Sequence, residues 1–251
     1  MKALILAAGY ATRLYPLTKD MPKSLLPIGN GTMMDFLAAR IRSVSQIDKA
    51  YIVTNAKFAQ MFEEWAKTAN EKYAPLEFAV IDDGTNTNDT RLGAVGDIAF
   101  SIDKGNIDDD LLIAASDDFF TFDLNDFTND FFSHGKDLLL ATHITSLDDL
   151  KRFAVATLDE TGRVIDLEEK PENPKTDIAI YALYLYRRDT LPLIRQYLDE
   201  GGNSDAPGHF PEWLYKRREV RVHMFKGECV DIGTVESYYD VCERFKGAFD
   251  G

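Results

Sequence analysis

Cysteine is almost missing from this chain: Cys229 and Cys242 are the two in 251 residues, and they show no CxxC spacing. That excludes a disulfide framework and points to a reducing compartment, the cytoplasm. Positive charge is in short supply as well, with 28 Lys and Arg against 42 Asp and Glu, a formal net charge of −14. A broad basic face for nucleic acid or for an anionic membrane surface is thereby excluded. No apolar run approaches the about 20 residues that a membrane helix needs. The first residues, Met1 and Lys2 and then apolar and small ones, have the outline of a signal peptide, but Thr12-Arg13 follow too soon, and the stretch reads as a buried first strand. The sequons at Asn30 and Asn88 then carry no glycan. Histidines 134, 143, 209 and 223 lack any metal-ligand spacing.

What the chain does have is a core. Hydrophobic residues make up 45% and aromatics 12%, a globular composition. Short apolar runs at 3–6, 50–53, 78–81, 111–115 and 138–141 are apolar on both parities, as strands covered on both faces should be. Between them, Met33, Met34, Phe36, Leu37 and Ile41, and then Phe58, Met61, Phe62 and Trp65, recur at helical spacing. This predicts an α/β fold with a largely parallel sheet. From about residue 153 the pattern changes to strands at 153–158, 163–167 and 178–186, the first two joined by Asp159-Glu160-Thr161-Gly162. Helices at 191–198 and 210–215, strands at 220–225 and 228–230 and a closing helix follow. No linker composition separates the halves, so residues 1–251 read as one domain: a part of about 1–150, an inserted strand region of about 151–230 and the closing helix at 234–246.

The chemistry concentrates near the start. After the first strand, Ala7-Ala8-Gly9 lets backbone N–H groups approach an anion, because no Cβ blocks the way at Gly9. It is not a Walker A loop: the one Gly-Lys pair, Gly135-Lys136, has Asp130 where the first motif glycine should stand. Nor is it a dinucleotide fingerprint, since the glycines expected after Gly9 are absent. Residues 1–50 hold seven Lys and Arg and three acids, whereas the remainder holds 21 basic and 39 acidic side chains. Positive charge therefore gathers around the small-residue loop that carries Arg13 and Lys23.

The run from Leu6 to Pro27 resembles the signature of the sugar-nucleotidyltransferases, written LAxGxGTRLxPLTxxxPKxLLP, with Ala11 where glycine is common. Leu112 to Asp118 resembles the strand ending in Gly-Asp-Asn, with Ser116 and Asp118 as the departures. Leu167-Glu168-Glu169-Lys170-Pro171 resembles the EKP motif, and Glu228 to Thr234 resembles the W-x-D-T-G-T segment. The order matches too, and the resemblance stops at the family core, short of the C-terminal domain some members carry. It implies a Rossmann-like, GT-A-like nucleotidyltransferase fold, a mostly parallel mixed sheet flanked by helices. It also implies a Mg²⁺-dependent transfer of a nucleoside monophosphate from a nucleoside triphosphate to a sugar 1-phosphate, releasing pyrophosphate, by a homodimer or larger homo-oligomer.

By the same resemblance Asp117 and Asp231 hold Mg²⁺, Arg13 stabilises the leaving pyrophosphate and Lys23 neutralises the α-phosphate. Leu6, Ala8 and Gly9 line the nucleotide, Asn88 and Gly93 contact the base, and Glu169 and Lys170 hold the acceptor. Plain structural alternatives exist: Asp117 and Asp118 as turn or capping residues, Asp231 as the cap of the last helix, and Asn88 or Thr90 as the cap of a helix. The acid run 108–110 and the pair 82–83 read as solvated loops. Phe119, Phe120, Phe122 and Phe127 either belong to the core, where most phenylalanines lie, or suggest a second acceptor class, because rings around a pocket hold a quaternary ammonium. Ala182, where sugar sites commonly have glycine, points the same way, to phosphocholine cytidylyltransferase relatives. A non-catalytic homologue is the third reading.

Overall fold

The computed structural model describes residues 1–246, in two compact units. The first comprises Met1–Arg91, Ala114–Leu124 and the chain from Gly227; the second comprises Leu92–Ile113 and Asn125–Lys226. Among the described residues no helix is long and apolar enough to cross a membrane.

The first unit is built on a parallel ladder of strands Lys2–Leu6, Lys49–Thr54 and Glu77–Asp82. Ile5 pairs with Ile52, which pairs with Val80. Ala3, Leu4, Ile5, Ala50 and Ile52 are fully buried, as the unbroken apolar runs require of strands covered on both faces. Helix Met33–Ser43 starts in a capping box: the Asp35 N–H donates to Thr32 Oγ1 at 3.1 Å and the Thr32 N–H donates to Asp35 Oδ2 at 3.1 Å. Its apolar stripe brings Phe36 onto Phe119, with the rings stacked at 3.9 Å. In helix Ala59–Lys72, Trp65 meets Phe78 edge to face at 5.2 Å. These contacts bury apolar area at roughly 25 cal/mol per Å².

The second unit is mixed. Strand Ile178–Tyr186 runs antiparallel to Asp137–His143 and to Ala154–Leu158, and the latter forms a hairpin with Val164–Glu169. Asp159 closes that hairpin by accepting from the backbone N–H of Thr161 and Arg163, at 2.8 and 3.1 Å. Strand Val220–Met224 lies parallel to Asp137–His143. The acid run at 108–110 is a loop with Asp108 exposed, and it is tied down by two arginines. Asp108 accepts from Nε and Nη2 of Arg188, each at 2.6 Å, and Asp110 pairs with Arg187 at 2.8 Å. Asp83, in the first unit, is not solvated: it is buried, with Oδ1 accepting the Thr85 N–H at 2.6 Å.

Helix Ala94–Gly105 begins at Gly93, not at Asn88 or Thr90. The N–H groups of Ala94 and Val95 donate to the carbonyls of Asp205 and Ser204 at 3.0 and 2.9 Å, so backbone from elsewhere in the same unit does the work of a side-chain cap. Asn88 instead opens a separate turn, Asn88–Thr90, capped by Thr87.

Candidate active site

A short antiparallel ribbon assembles the acidic centre in the first unit. Strand Cys229–Asp231 pairs with Asp118–Phe120 so that Asp231 stands opposite Asp118, and the Ile232 N–H donates to Asp117 O at 3.0 Å. One oxygen from each of Asp117, Asp118 and Asp231 then lies within 4.8 Å of the others. None of the three caps the last helix, which starts at Thr234 in a capping box with Ser237. Burial, and after it the charges of Asp117 and Asp231, push the Asp118 carboxyl well above its usual range, against an opposing pull from Lys23.

Lys23, in the turn Lys23–Leu25, forms an ion pair with Asp117 Oδ2. Ahead of it, the loop leaving the first strand is tied down on one side: the Ala7 N–H donates to Val53 O at 2.9 Å, and Asn55 Nδ2 donates to Ala8 O at 2.9 Å. Gly9 is exposed, and a Cβ there would meet nothing within 4 Å, so the space beside it is open. Ala11 sits in the left-handed region at φ 45° and is braced by Thr18 Oγ1 donating to its carbonyl at 2.8 Å. Arg13 is exposed and forms no ion pair among the described residues. Leu6 ends the strand, and the Ser116 N–H donates to its carbonyl at 3.1 Å.

In the second unit, strand Val164–Glu169 delivers Glu169, whose side chain is 6% exposed. Desolvation raises its carboxyl affinity for a proton, opposed by Lys170 and then by His209. Lys170 follows at φ 48°, with its N–H on Phe153 O at 3.1 Å and its Nζ 3.5 Å from Glu169 Oε1. The turn out of the strand thus presents a buried acceptor and an exposed cation side by side.

The sequence profile described as "Nucleotidyl transferase" matches residues 2–246. The chain belongs to the nucleotidyl transferase family. A glucose-1-phosphate thymidylyltransferase of Streptomyces griseus is 28% identical over 96% of the chain and 65% of its own length. A glucose-1-phosphate adenylyltransferase of Thermotoga neapolitana is 25% identical over 95% of the chain and 59% of its own length. The chain spans roughly half to two thirds of the curated relatives it matches. A crystal structure of UDP-glucose pyrophosphorylase with UDP-glucose superposes with a TM-score of 0.82 over 97% of both chains at 20% identity, which shows the fold: a mixed, mostly parallel sheet flanked by helices.

Against the family pattern, Asp118 is the residue that sequence reasoning undervalued. It stands where asparagine is usual, and the adjacent Asp-Asp at a strand end was its signal. Three carboxylates that repel one another, with one of them driven toward its neutral form, are a donor set suited to a hard divalent cation. Asn88 is exposed, its carbonyl accepting from Arg91 Nη1 at 2.9 Å. Gly93, at φ 81°, has a structural duty of its own, because a Cβ there would lie 2.4 Å from Ser204 O. The four phenylalanines do not ring a pocket. Phe119, Phe120, Phe122 and Phe127 are at most 7% exposed, and the first three pack on Phe36 or on one another. The cation–π argument for a quaternary ammonium acceptor therefore lapses.

Proposed function

We propose that the protein transfers a nucleoside monophosphate from a nucleoside triphosphate to a sugar 1-phosphate, releasing pyrophosphate and forming a nucleotide sugar. The observation that carries this is the convergence of Asp117, Asp118 and Asp231 with Lys23 in a chain of this family. Both reactants are anions, so bringing the acceptor oxygen to the α-phosphorus works against repulsion. A Mg²⁺ ion, when bound, neutralises phosphate charge and orients the α-phosphate. Asp117 and Asp231, joined by Asp118, would hold it.

Lys23 exchanges its ion pair with Asp117 for the α-phosphate oxygens as negative charge builds there. Arg13, exposed and without an ion pair among the described residues, binds the departing pyrophosphate. The backbone of Leu6, Ala8 and Gly9 lines the nucleotide, with room at Gly9 for close approach. Asn88 offers a donor and an acceptor to a base edge, and Gly93 is the other position that the family motif gives to the base. Glu169 accepts from acceptor hydroxyls while Lys170 binds the acceptor phosphate. The relatives named for glucose 1-phosphate and the UDP-glucose complex support a hexose 1-phosphate.

Pyrophosphate release measured with each nucleoside triphosphate against a panel of hexose 1-phosphates and phosphocholine, with Mg²⁺ or with EDTA, tests the reading. Release is expected with a hexose 1-phosphate and Mg²⁺ and is lost in EDTA. Turnover with phosphocholine and CTP alone would overturn the sugar acceptor, and no release with any pair would overturn the transfer itself.

A further inference from the structure

Gly208 has no conformational need to be glycine, since its φ of −72° and ψ of −14° suit any residue. Space is what excludes a side chain. A Cβ there would overlap Glu169 Oε2, with Glu169 Cδ at 2.9 Å and Ala154 Cβ at 3.2 Å. The Glu169 carboxylate therefore fills the volume that a side chain at 208 would take, and the Gly208 backbone is the wall it rests on. Its other oxygen, Oε1, lies 3.5 Å from Lys170 Nζ.

That wall is held from behind. Gly208 ends a strap of residues 204–208 tied along its length by backbone hydrogen bonds. The Ser204 and Asp205 carbonyls accept from the Val95 and Ala94 N–H groups at 2.9 and 3.0 Å, and the Ala206 carbonyl accepts from the His209 N–H at 3.3 Å. The Gly208 carbonyl accepts from the Glu212 N–H at 3.2 Å, inside a helix that packs on strand Val164–Glu169. Across the contact the strand is equally fixed: Glu169 pairs with Ala154 in the hairpin, and the Lys170 N–H donates to Phe153 O at 3.1 Å. With backbone pinned on both sides, the movable part is the Glu169 side chain, whose carboxylate shifts by a change of rotamer.

We propose that Gly208 is a positioning residue for the acceptor: by leaving its side-chain volume empty, it sets where the Glu169 carboxylate stands beside Lys170 to receive an acceptor hydroxyl. The inference rests on the acceptor role proposed above for Glu169 and Lys170. It adds a residue that acts through Glu169 alone, because a methyl group at 208 displaces the carboxylate and leaves the pinned backbone in place.

The test is a double-mutant cycle in steady-state kinetics, with wild type, Gly208→Ala, Glu169→Ala and the double variant, using the panel acceptor with the highest wild-type turnover. Gly208→Ala should raise the acceptor KM about tenfold or more, the misplacement of one charged hydrogen-bond acceptor, with the nucleoside triphosphate KM within about twofold of wild type. In the Glu169→Ala background the same substitution should change the acceptor KM by less than about twofold, since the volume is then vacant. A merely structural role predicts equal effects in both backgrounds, and that result overturns the proposal. An unchanged acceptor KM in Gly208→Ala also overturns it, and so does a double variant that fails to fold, because backbone and not carboxylate has then taken the strain. Each of these leaves the transfer reaction standing. A wild-type acceptor KM in Glu169→Ala instead overturns the acceptor role of Glu169 and this inference with it.

Discussion

Asp118 stands one residue from Asp117 and opposite Asp231, and this placement gives the three acids different fates on substitution. Asp117→Asn and Asp231→Asn each remove a charged ligand from the proposed metal site. Each should lower Mg²⁺-dependent pyrophosphate release by about 100-fold or more, the several kcal/mol that a bound divalent ion supplies, with the melting temperature within a few degrees of wild type. Wild-type rates in both variants would refute the metal assignment. Asp118→Asn relieves repulsion that the Lys23 ammonium offsets only in part until a divalent cation binds. In metal-free buffer it should raise stability by about 1 kcal/mol, read as a higher melting temperature in EDTA, and the gain should shrink when Mg²⁺ is added.

At the level of elements, the start of helix Ala94–Gly105 depends on one glycine. Gly93→Ala puts a Cβ at φ 81° and 2.4 Å from Ser204 O, against backbone that also receives the Val95 N–H. It should destabilise the fold by about 2 kcal/mol or more, measured by denaturant unfolding, whereas Asn88→Ala should leave stability within about 0.5 kcal/mol because Asn88 is exposed and caps no helix. The strands and helices themselves were legible: the parallel ladder, both early helices and the hairpin at 154–169 follow from spacing and turn chemistry. The cap at Gly93 was not, since its partners Ser204 and Asp205 lie far along the chain and carry no capping signature. Which of the two readings of the phenylalanines after Asp117 holds was not legible, for a related reason. Sequence shows that rings cluster, but whether they enclose a pocket or fill a core depends on Phe36, which arrives on another element.

For the whole molecule, a chain of net charge −14 carries carboxyls that folding makes costly to ionise. Asp137, fully buried at the start of its strand, is pushed up to about 6 by burial, despite accepting from the Arg187 N–H at 2.7 Å and from Thr190 Oγ1 at 2.8 Å. The folded state therefore holds this proton over a range where the unfolded chain, near the ordinary 3.8, has released it. Its contribution to stability is full below that unfolded value and is lost as pH rises through about 6, at no more than about 1.4 kcal/mol per pH unit. Asp137→Asn keeps the acceptor oxygen and removes the titration. The difference in unfolding free energy between wild type and variant should move in that direction between about pH 4 and about pH 7 and flatten above; a constant difference would show that Asp137 does not titrate there.

Local pattern by itself determined the α/β class, the early strands and helices, the small-residue loop with its basic surroundings and the residue types able to handle phosphate. Those properties are set by spacing, side-chain size and charge along neighbouring residues. Tertiary structure alone decided that Asp231 reaches Asp118 through a three-residue ribbon, that Lys23 pairs with Asp117, that the aromatic loop is core and that Gly208 makes room for Glu169. Each of these joins residues remote in sequence, where the partner is chosen by the packing of backbone and side chains in three dimensions and leaves no period or motif in the chain.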